Sequence, residues 1–341
     1  MKVLIYSPAF LPQVGGLEIQ VAGSAAEMAR RGFEVVVVTT TAASGTDDFP
    51  FRVVRRPRPG ELLRWVRWCD VFYQANVSLR GLWPLLLARR PWVVSHHSWY
   101  RQADGRVAWQ DRLKRRLLRH AAASIAVSQA VAADLDTPST VIPNTYRAGL
   151  FRRLPDTPRS RDLIFLGRLV SDKGADILLE ALALLAAAGL TPRLTLVGEG
   201  PERPRLEEQA SRLGLADRID FAGLRTGEEL VRLLNEHRIL VVPSRYDEPF
   251  GIVALEGIAC GCVVVGSSGG GLPEAIGPCG LTFPNGDAAA LAGVLAGLLR
   301  DPRSGDGLTR HAAAHLARHE ETRIGGEYAA VLHRAMTGYR Q

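Results

Sequence analysis

Two successive runs of short, continuously apolar strand segments alternating with helical segments constrain this chain more than any other feature of its sequence. Strand patterns fall at 2–7, 34–40, 51–55, 71–73, 92–95, 124–127 and 140–142, and a helical pattern at 17–31 stops at Gly32. Segments apolar on both faces suit a parallel sheet covered by helices on both sides, because a sheet with one wet face alternates apolar and polar residues. The pattern restarts after 154–161, a stretch bearing Pro155, Pro158, Arg159 and Arg161 that reads as a linker. Strands follow at 162–166, 193–197, 219–221, 239–242, 263–265 and 281–283, with a helix at 175–188. The expected fold is α/β, with two doubly wound Rossmann-like domains, 1–155 and 156–319, facing each other across a cleft.

Length and composition agree with two folded domains. A chain of 341 residues exceeds the size at which one core keeps growing, and an apolar fraction of 47% argues against disorder. Residues 3–10 are too short and too soon interrupted by Pro12 for a signal segment, and there is no run of 18 apolar residues, so the expected location is cytoplasmic. Cys69, Cys260, Cys262 and Cys279 lack the spacing of a zinc site and are expected to fill core. The formal charge of +7 comes almost wholly from arginine, since Lys2, Lys114 and Lys173 are the only lysines. Basic clusters at 52–67 and 112–119, and six tryptophans all before residue 110, suit an anionic or amphipathic acceptor, a peripheral contact with the inner face of a membrane, or a merely solvated surface. A nucleic-acid partner is not expected, and nothing in the sequence specifies an oligomeric state.

The chemistry concentrates where strands run into helices. After the strand at 239–242 comes a loop with Glu248, Pro249, Phe250 and Gly251, and Glu256 lies in the first turns of the next helix. Glu256 can accept from two adjacent ribose hydroxyls, and Glu248 with the amides of Phe250 and Gly251 can hold a sugar ring; the plain alternative is a pair of carboxylates at a helix N-terminus. Asp247 shares the position of Glu248, and 269–274 adds a glycine-rich loop ending at Glu274. Arg168 and Lys173 lie in a second strand-to-helix corner, where two cations can neutralise a leaving diphosphate. Gly15 and Gly16 lie in a third, where absent side chains let backbone amides approach phosphate, although a tight turn explains the pair equally well. His96 and His97 end the strand at 92–95 and can hydrogen-bond a transferring sugar; they have no partner at metal-ligand spacing. Ser128 and Asn144 end two further strands and can face a cleft or cap a turn. Trp99 follows the same polar loop as the histidines.

Taken together, Gly15–Gly16 after Pro12, Ile142–Pro143–Asn144, Gly167–Arg168 with Lys173–Gly174, the 197–200 segment, and Glu248–Pro249–Phe250–Gly251 with Glu256 eight positions on resemble the retaining nucleotide-sugar glycosyltransferases of the GT-B class, family 4. The resemblance covers nearly the whole chain. It implies that Arg168 and Lys173 contact the donor diphosphate, that Glu256 holds the ribose, and that Glu248 sits beside the transferred sugar. Gly16 would meet phosphate or sugar through its backbone, and His97, followed by serine, would contact the reacting sugar. Trp99 stands where several relatives carry Asp, and Thr145 where a glycine is common, so His96 remains an alternative to His97. The resemblance further implies a UDP- or GDP-sugar donor, a saccharide, lipid-linked or natural-product acceptor, no metal and no cofactor. Anomeric configuration would be kept, and the C-terminal segment 320–341 would return as a helix onto the first domain, with Gly325–Gly326 threatening its first turns. A nucleotide-sugar epimerase and a non-catalytic nucleotide-sugar-binding protein are the competing classes.

Overall fold

The computed structural model describes every residue except 14, 46, 103, 104, 340 and 341, and only the backbone of 302 and 304. The chain divides into two compact units, Met1–Thr145 with the segment from His319 onward, and Tyr146–Arg318. The first contains seven strands: β1 (Lys2–Tyr6), β2 (Glu34–Thr39), β3 (Arg52–Arg55), β4 (Val71–Ala75), β5 (Trp92–His96), β6 (Ala123–Ala126) and β7 (Thr140–Val141). They form one sheet in the order β3-β2-β1-β4-β5-β6-β7, every pairing parallel. The second contains β8 (Arg161–Leu166), β9 (Leu194–Val197), β10 (Ile219–Gly223), β11 (His237–Val242), β12 (Val263–Ser267) and β13 (Gly280–Phe283), in the parallel order β10-β9-β8-β11-β12-β13. Both sheets therefore reverse direction once, between β1 and β4 and between β8 and β11. In doubly wound sheets ligands bind outside the carboxyl ends of the strands at that reversal.

The expected strands are all present, displaced by one or two residues at their ends. Their central residues, Val3, Leu4 and Ile5 of β1 or Leu240 and Val241 of β11, are fully buried, as two-sided coverage requires. The change of unit comes earlier than the 154–161 stretch. Phe151 is buried, the Leu154 amide donates to Asn235 Oδ1 at 2.8 Å, and Asn235 Nδ2 donates to the Arg152 carbonyl at 2.9 Å, so the segment from Tyr146 is already fastened to the second unit. All four cysteines are free and buried.

Residues Glu321–Tyr339 form one helix whose Ile324, Tyr328, Val331, Leu332 and Ala335 share a core with Val3, Ile5, Met28 and Tyr73 of the first unit. Gly325 does not break it. A Cβ at Gly325 would collide with the side chain of Glu27, so its absence lets this helix lie against the helix Gly16–Arg30. Glu27, buried there, is neutralised by Arg30 and Arg31, each at 2.7 Å.

Candidate active site

The second unit gathers its ionisable groups at the β8/β11 reversal. The turn after β8 carries Arg168 and a short 3₁₀ segment, Ser171–Lys173, and the loop after β11 runs from Pro243 to Gly251. The two are held together by the Arg245 amide, which donates to the Asp172 carbonyl at 2.9 Å, and by an ion pair of Arg245 with Asp176. Gly174 makes this approach possible. It has φ +66°, and a Cβ there would run into the carbonyl oxygen of Pro243.

Across this junction Lys173 Nζ meets Glu248 Oε1 at 2.6 Å. Ser244 Oγ donates to the same carboxylate oxygen at 2.6 Å, and the Tyr246 hydroxyl donates to Oε2 at 2.8 Å. Glu248 is only 6% exposed, and this set of donors offsets the cost of withdrawing its carboxylate from water. The Lys173 ammonium also lies 5.2 Å from the centre of the Tyr246 ring. Burial first, and the adjacent Glu248 charge second, keep the Tyr246 hydroxyl protonated well beyond the ordinary range, so it stays a donor. The charge of Arg168, an exposed side chain, acts in the opposite sense on Tyr246 and belongs to the same cluster.

Gly251, with φ +97°, starts the helix Ile252–Ala259, and a Cβ there would overlap Leu272. Phe250 is buried beside it. Glu256, in the second turn, is 9% exposed; burial pushes its carboxyl pKa up to about 7, opposed by the charge of Arg147. The buried Arg147 Nε has no hydrogen-bond partner among the described residues. The Asp247 carboxylate lies beside Gly269, where a Cβ would collide with it. Ser244, Tyr246 and Arg147 were assigned no role from sequence; hydroxyls four and two positions before Glu248 on one loop were the available signal.

In the first unit the two histidines lie at the carboxyl end of β5, one strand beyond the β1/β4 reversal. His96 is fully buried, with Nδ1 bonded to the Tyr100 hydroxyl at 2.7 Å and Nε2 to Ser124 Oγ at 2.9 Å. Burial, aided by His97, lowers its pKa to about 3, and both of its ring nitrogens are engaged within the unit. His97 keeps partial exposure. Its amide donates to Asn76 Oδ1 at 2.7 Å, and its Nε2 lies 2.8 Å from Ser95 Oγ. Its Nδ1 is buried and without a hydrogen-bond partner among the described residues. Burial lowers the His97 pKa to about 4; the Asn144 side chain beside it partly offsets this, though no well-formed bond reaches Nδ1.

The remaining candidates divide. Asn144 belongs to the His97 corner, and its carbonyl lies 3.1 Å from His319 Nδ1. Ser128 is used as a helix cap, accepting from the Val131 amide at 3.1 Å. Trp99 lies under the Arg101 guanidinium at 4.6 Å. Gly15 precedes the helix Gly16–Arg30 with extended backbone, and the Glu18 carboxylate folds over it, so a phosphate reaching this helix N-terminus would have to displace the chain's own anion.

Comparison with known proteins follows this division. Residues 160–301 match the family model described as glycosyl transferases group 1, and residues 14–146 match glycosyltransferase family 4. A D-inositol 3-phosphate glycosyltransferase of Stackebrandtia nassauensis is 35% identical over 60% of this chain and 50% of its own length. One of Mycolicibacterium paratuberculosis is 29% identical over 89% of this chain and 82% of its own. The chain thus spans about half the length of the curated relatives it matches at the higher identity. The solved structure of Anabaena Alr3699/HepE in complex with UDP and glucose superposes with a TM-score of 0.83 over 98% of this chain and 99% of that one, at 23% identity. Two parallel sheets in this order, matched half by half, place the chain among the GT-B glycosyltransferases of family 4 type.

Proposed function

We propose that the chain is a retaining, metal-independent hexosyltransferase that moves a sugar from a UDP- or GDP-sugar to a hydroxyl of a saccharide, lipid-linked or natural-product acceptor. The observation carrying this reading is the Lys173–Glu248 pair, held by Ser244 and Tyr246 at the reversal of the second sheet. An ammonium has three donors, and the bond to Glu248 leaves others for a diphosphate. In the reaction the bond from the anomeric carbon to the phosphate oxygen breaks with its electron pair going to phosphate. The acceptor oxygen bonds to the same face, and the acceptor's proton passes to the departing phosphate oxygen. Arg168 and Lys173 stabilise the charge that develops there. Glu248 and the amides of Phe250 and Gly251 hold the sugar, Glu256 takes the ribose hydroxyls, Gly15 and Gly16 offer backbone contacts, and His97 hydrogen-bonds the sugar.

The UDP and glucose bound by the Anabaena protein make UDP-glucose the first donor to test, and the named substrate of the inositol-phosphate relatives supports an anionic acceptor. The first unit has the surface for one. On the helix Trp109–Leu118, Trp109 is 70% exposed and Leu113 is exposed one turn on, with Arg112 and Arg116 on the same face. An exposed indole among arginines suits peripheral contact with an anionic lipid surface. No helix among the described residues is long and apolar enough to cross a membrane.

The test is incubation of the purified chain with UDP- and GDP-hexoses and acceptor extracts, with products identified by mass spectrometry and their anomeric configuration by NMR. Transfer with retention, unaffected by chelator and suppressed in Lys173→Ala, is expected. Binding of donor without turnover across the acceptor panel would favour a binding protein, conversion of donor without acceptor an epimerase, and inversion would reject the mechanism.

A further inference from the structure

At the same end of the first sheet as His97, a cavity of about 380 Å³ opens beside the carboxyl ends of β1 and β2. Tyr6 and Thr39 reach it from the strand ends, Arg56 from the loop after β3, and Arg80 and Trp83 from the segment after β4. Gly81 brings the last two into place. It is buried, and a Cβ there would run into the Tyr6 ring and the Gln74 side chain, so only glycine lets this segment lie against β1. The same segment starts from Asn76, which accepts from the His97 amide at 2.7 Å, so the cavity and the histidine corner share one stretch of chain.

The charge of this cavity is unbalanced. Arg55 is paired with Asp47 at 2.6 Å, whereas Arg56 and Arg80 have no ion pair, and the cavity no acidic lining residue, among the described residues. Four other cavities lined by arginine each include a carboxylate, that of Glu61, Asp306, Asp220 or Asp136. Arg56 is also held in place. Its φ is +48°, a left-handed conformation uncommon for a residue with a side chain. Its amide donates to the Thr39 carbonyl at 2.8 Å and its Nε to the Thr40 carbonyl at 3.1 Å, which leaves both terminal nitrogens of a positioned guanidinium to meet an anion. The Thr39 and Thr40 hydroxyls donate to the Pro8 carbonyl, at 3.1 and 2.7 Å, so that role falls to the arginines.

We propose that this cavity is the subsite for a phosphate group on the acceptor, with Arg56 and Arg80 taking its oxygens and Trp83 one face of the sugar or polyol ring that carries it. One bidentate guanidinium already fills the two oxygens of a carboxylate, whereas the three free oxygens of a phosphate monoester serve two arginines from separate elements at once. The anion site stands on the charge and shape of the cavity; its use by an acceptor rests on the transferase reading given above.

The test is isothermal titration calorimetry of the full chain with glucose 6-phosphate and myo-inositol 1-phosphate, with glucose and myo-inositol as controls. Saturating UDP and GDP are present throughout, so that the donor corner is filled. At least one phosphorylated compound is expected to bind about tenfold or more tightly than its plain counterpart. Arg56→Gln and Arg80→Gln are each expected to weaken it by about tenfold, the scale of one charge-assisted hydrogen bond, with melting temperatures unchanged. Competition by dihexanoyl-phosphatidylinositol would assign the phosphate to a lipid headgroup, and its failure to compete to a soluble polyol phosphate. Equal binding of phosphorylated and plain compounds, no binding of either phosphate, or an affinity unmoved when both arginines are replaced would overturn the proposal. Phosphate binding that is lost in the arginine variants of a protein that transfers to no acceptor would keep the anion site and reject the transferase reading instead.

Discussion

The charged corner of the second unit and the histidine corner of the first both lie at the carboxyl ends of parallel strands, and they differ in electrostatics. In the second unit the β8/β11 corner holds an ion pair, two donating hydroxyls and an exposed arginine. In the first, the ends of β4 and β5 hold neutral imidazoles whose protonation is suppressed by burial. The carboxyl ends of parallel strands therefore supply a place for a ligand but not its chemistry, which the loop residues supply. The charged corner suits a diphosphate whose charge grows during transfer, and the neutral one suits hydrogen bonds to a sugar.

Breaking the charged corner should have the largest effect. Lys173→Ala is expected to lower kcat for transfer by about 10²–10³-fold, the scale of one lost oxyanion donor, with the fold retained because Ser244 and Tyr246 still hold Glu248. Steady-state kinetics and a melting curve check both parts, and unchanged turnover would remove Lys173 from the reaction. Within the neutral corner, His96→Ala should act on stability alone. It removes a buried ring and one partner each from the Tyr100 and Ser124 hydroxyls, which keep the Val77 amide and Ser139, and should cost about 3 kcal/mol in denaturant unfolding, whereas His97→Ala should cost less and reduce transfer more.

The comparison can be sharpened through pH. Glu256 has a folded pKa of about 7 against 4.5, so ionising it in the donor-free protein costs stability progressively as pH rises from about 4.5 through about 7. A ribose that bonds to the carboxylate should bind more weakly as pH falls through 7, by about tenfold per pH unit well below that value. Glu256→Gln should flatten both curves, as titration calorimetry and pH-dependent melting would show; an unchanged pH profile of donor affinity would exclude Glu256 from the ribose site. The smallest effect is expected from Tyr246→Phe. It removes one donor from a carboxylate that keeps two others, and should cost about 1–2 kcal/mol of stability with a modest loss of rate.

Much of this was legible in the residues. Apolar segments of three to seven residues named the strands of both sheets, and the spacing of Glu248, Glu256, Arg168 and Lys173 after strand ends named the corner that collects them. The resemblance contributed the family and a preference for His97 over His96 that local pattern could not supply. Ser128 shows where pattern was ambiguous: a serine ending a strand reads the same whether it faces a ligand or caps the next helix, and here it caps. The Gly325–Gly326 pair misled for the same reason. Intrinsic propensity counts glycine against a helix, but it does not register a neighbouring helix that needs the space beside Glu27.

What the sequence alone determined is the local order of elements and the types of group that end each strand, because strand burial and helix termination depend on neighbours along the chain. Tertiary structure decided which groups meet. Lys173 and Glu248 are 75 positions apart and touch only because Gly174 admits the Pro243 carbonyl, and the Tyr328 ring packs on Tyr73 only because the last helix returns to the first sheet. Burial, too, exists only in the folded state, where both ring nitrogens of His96 are hydrogen-bonded but only Nε2 of His97 is, although the two are adjacent in the chain.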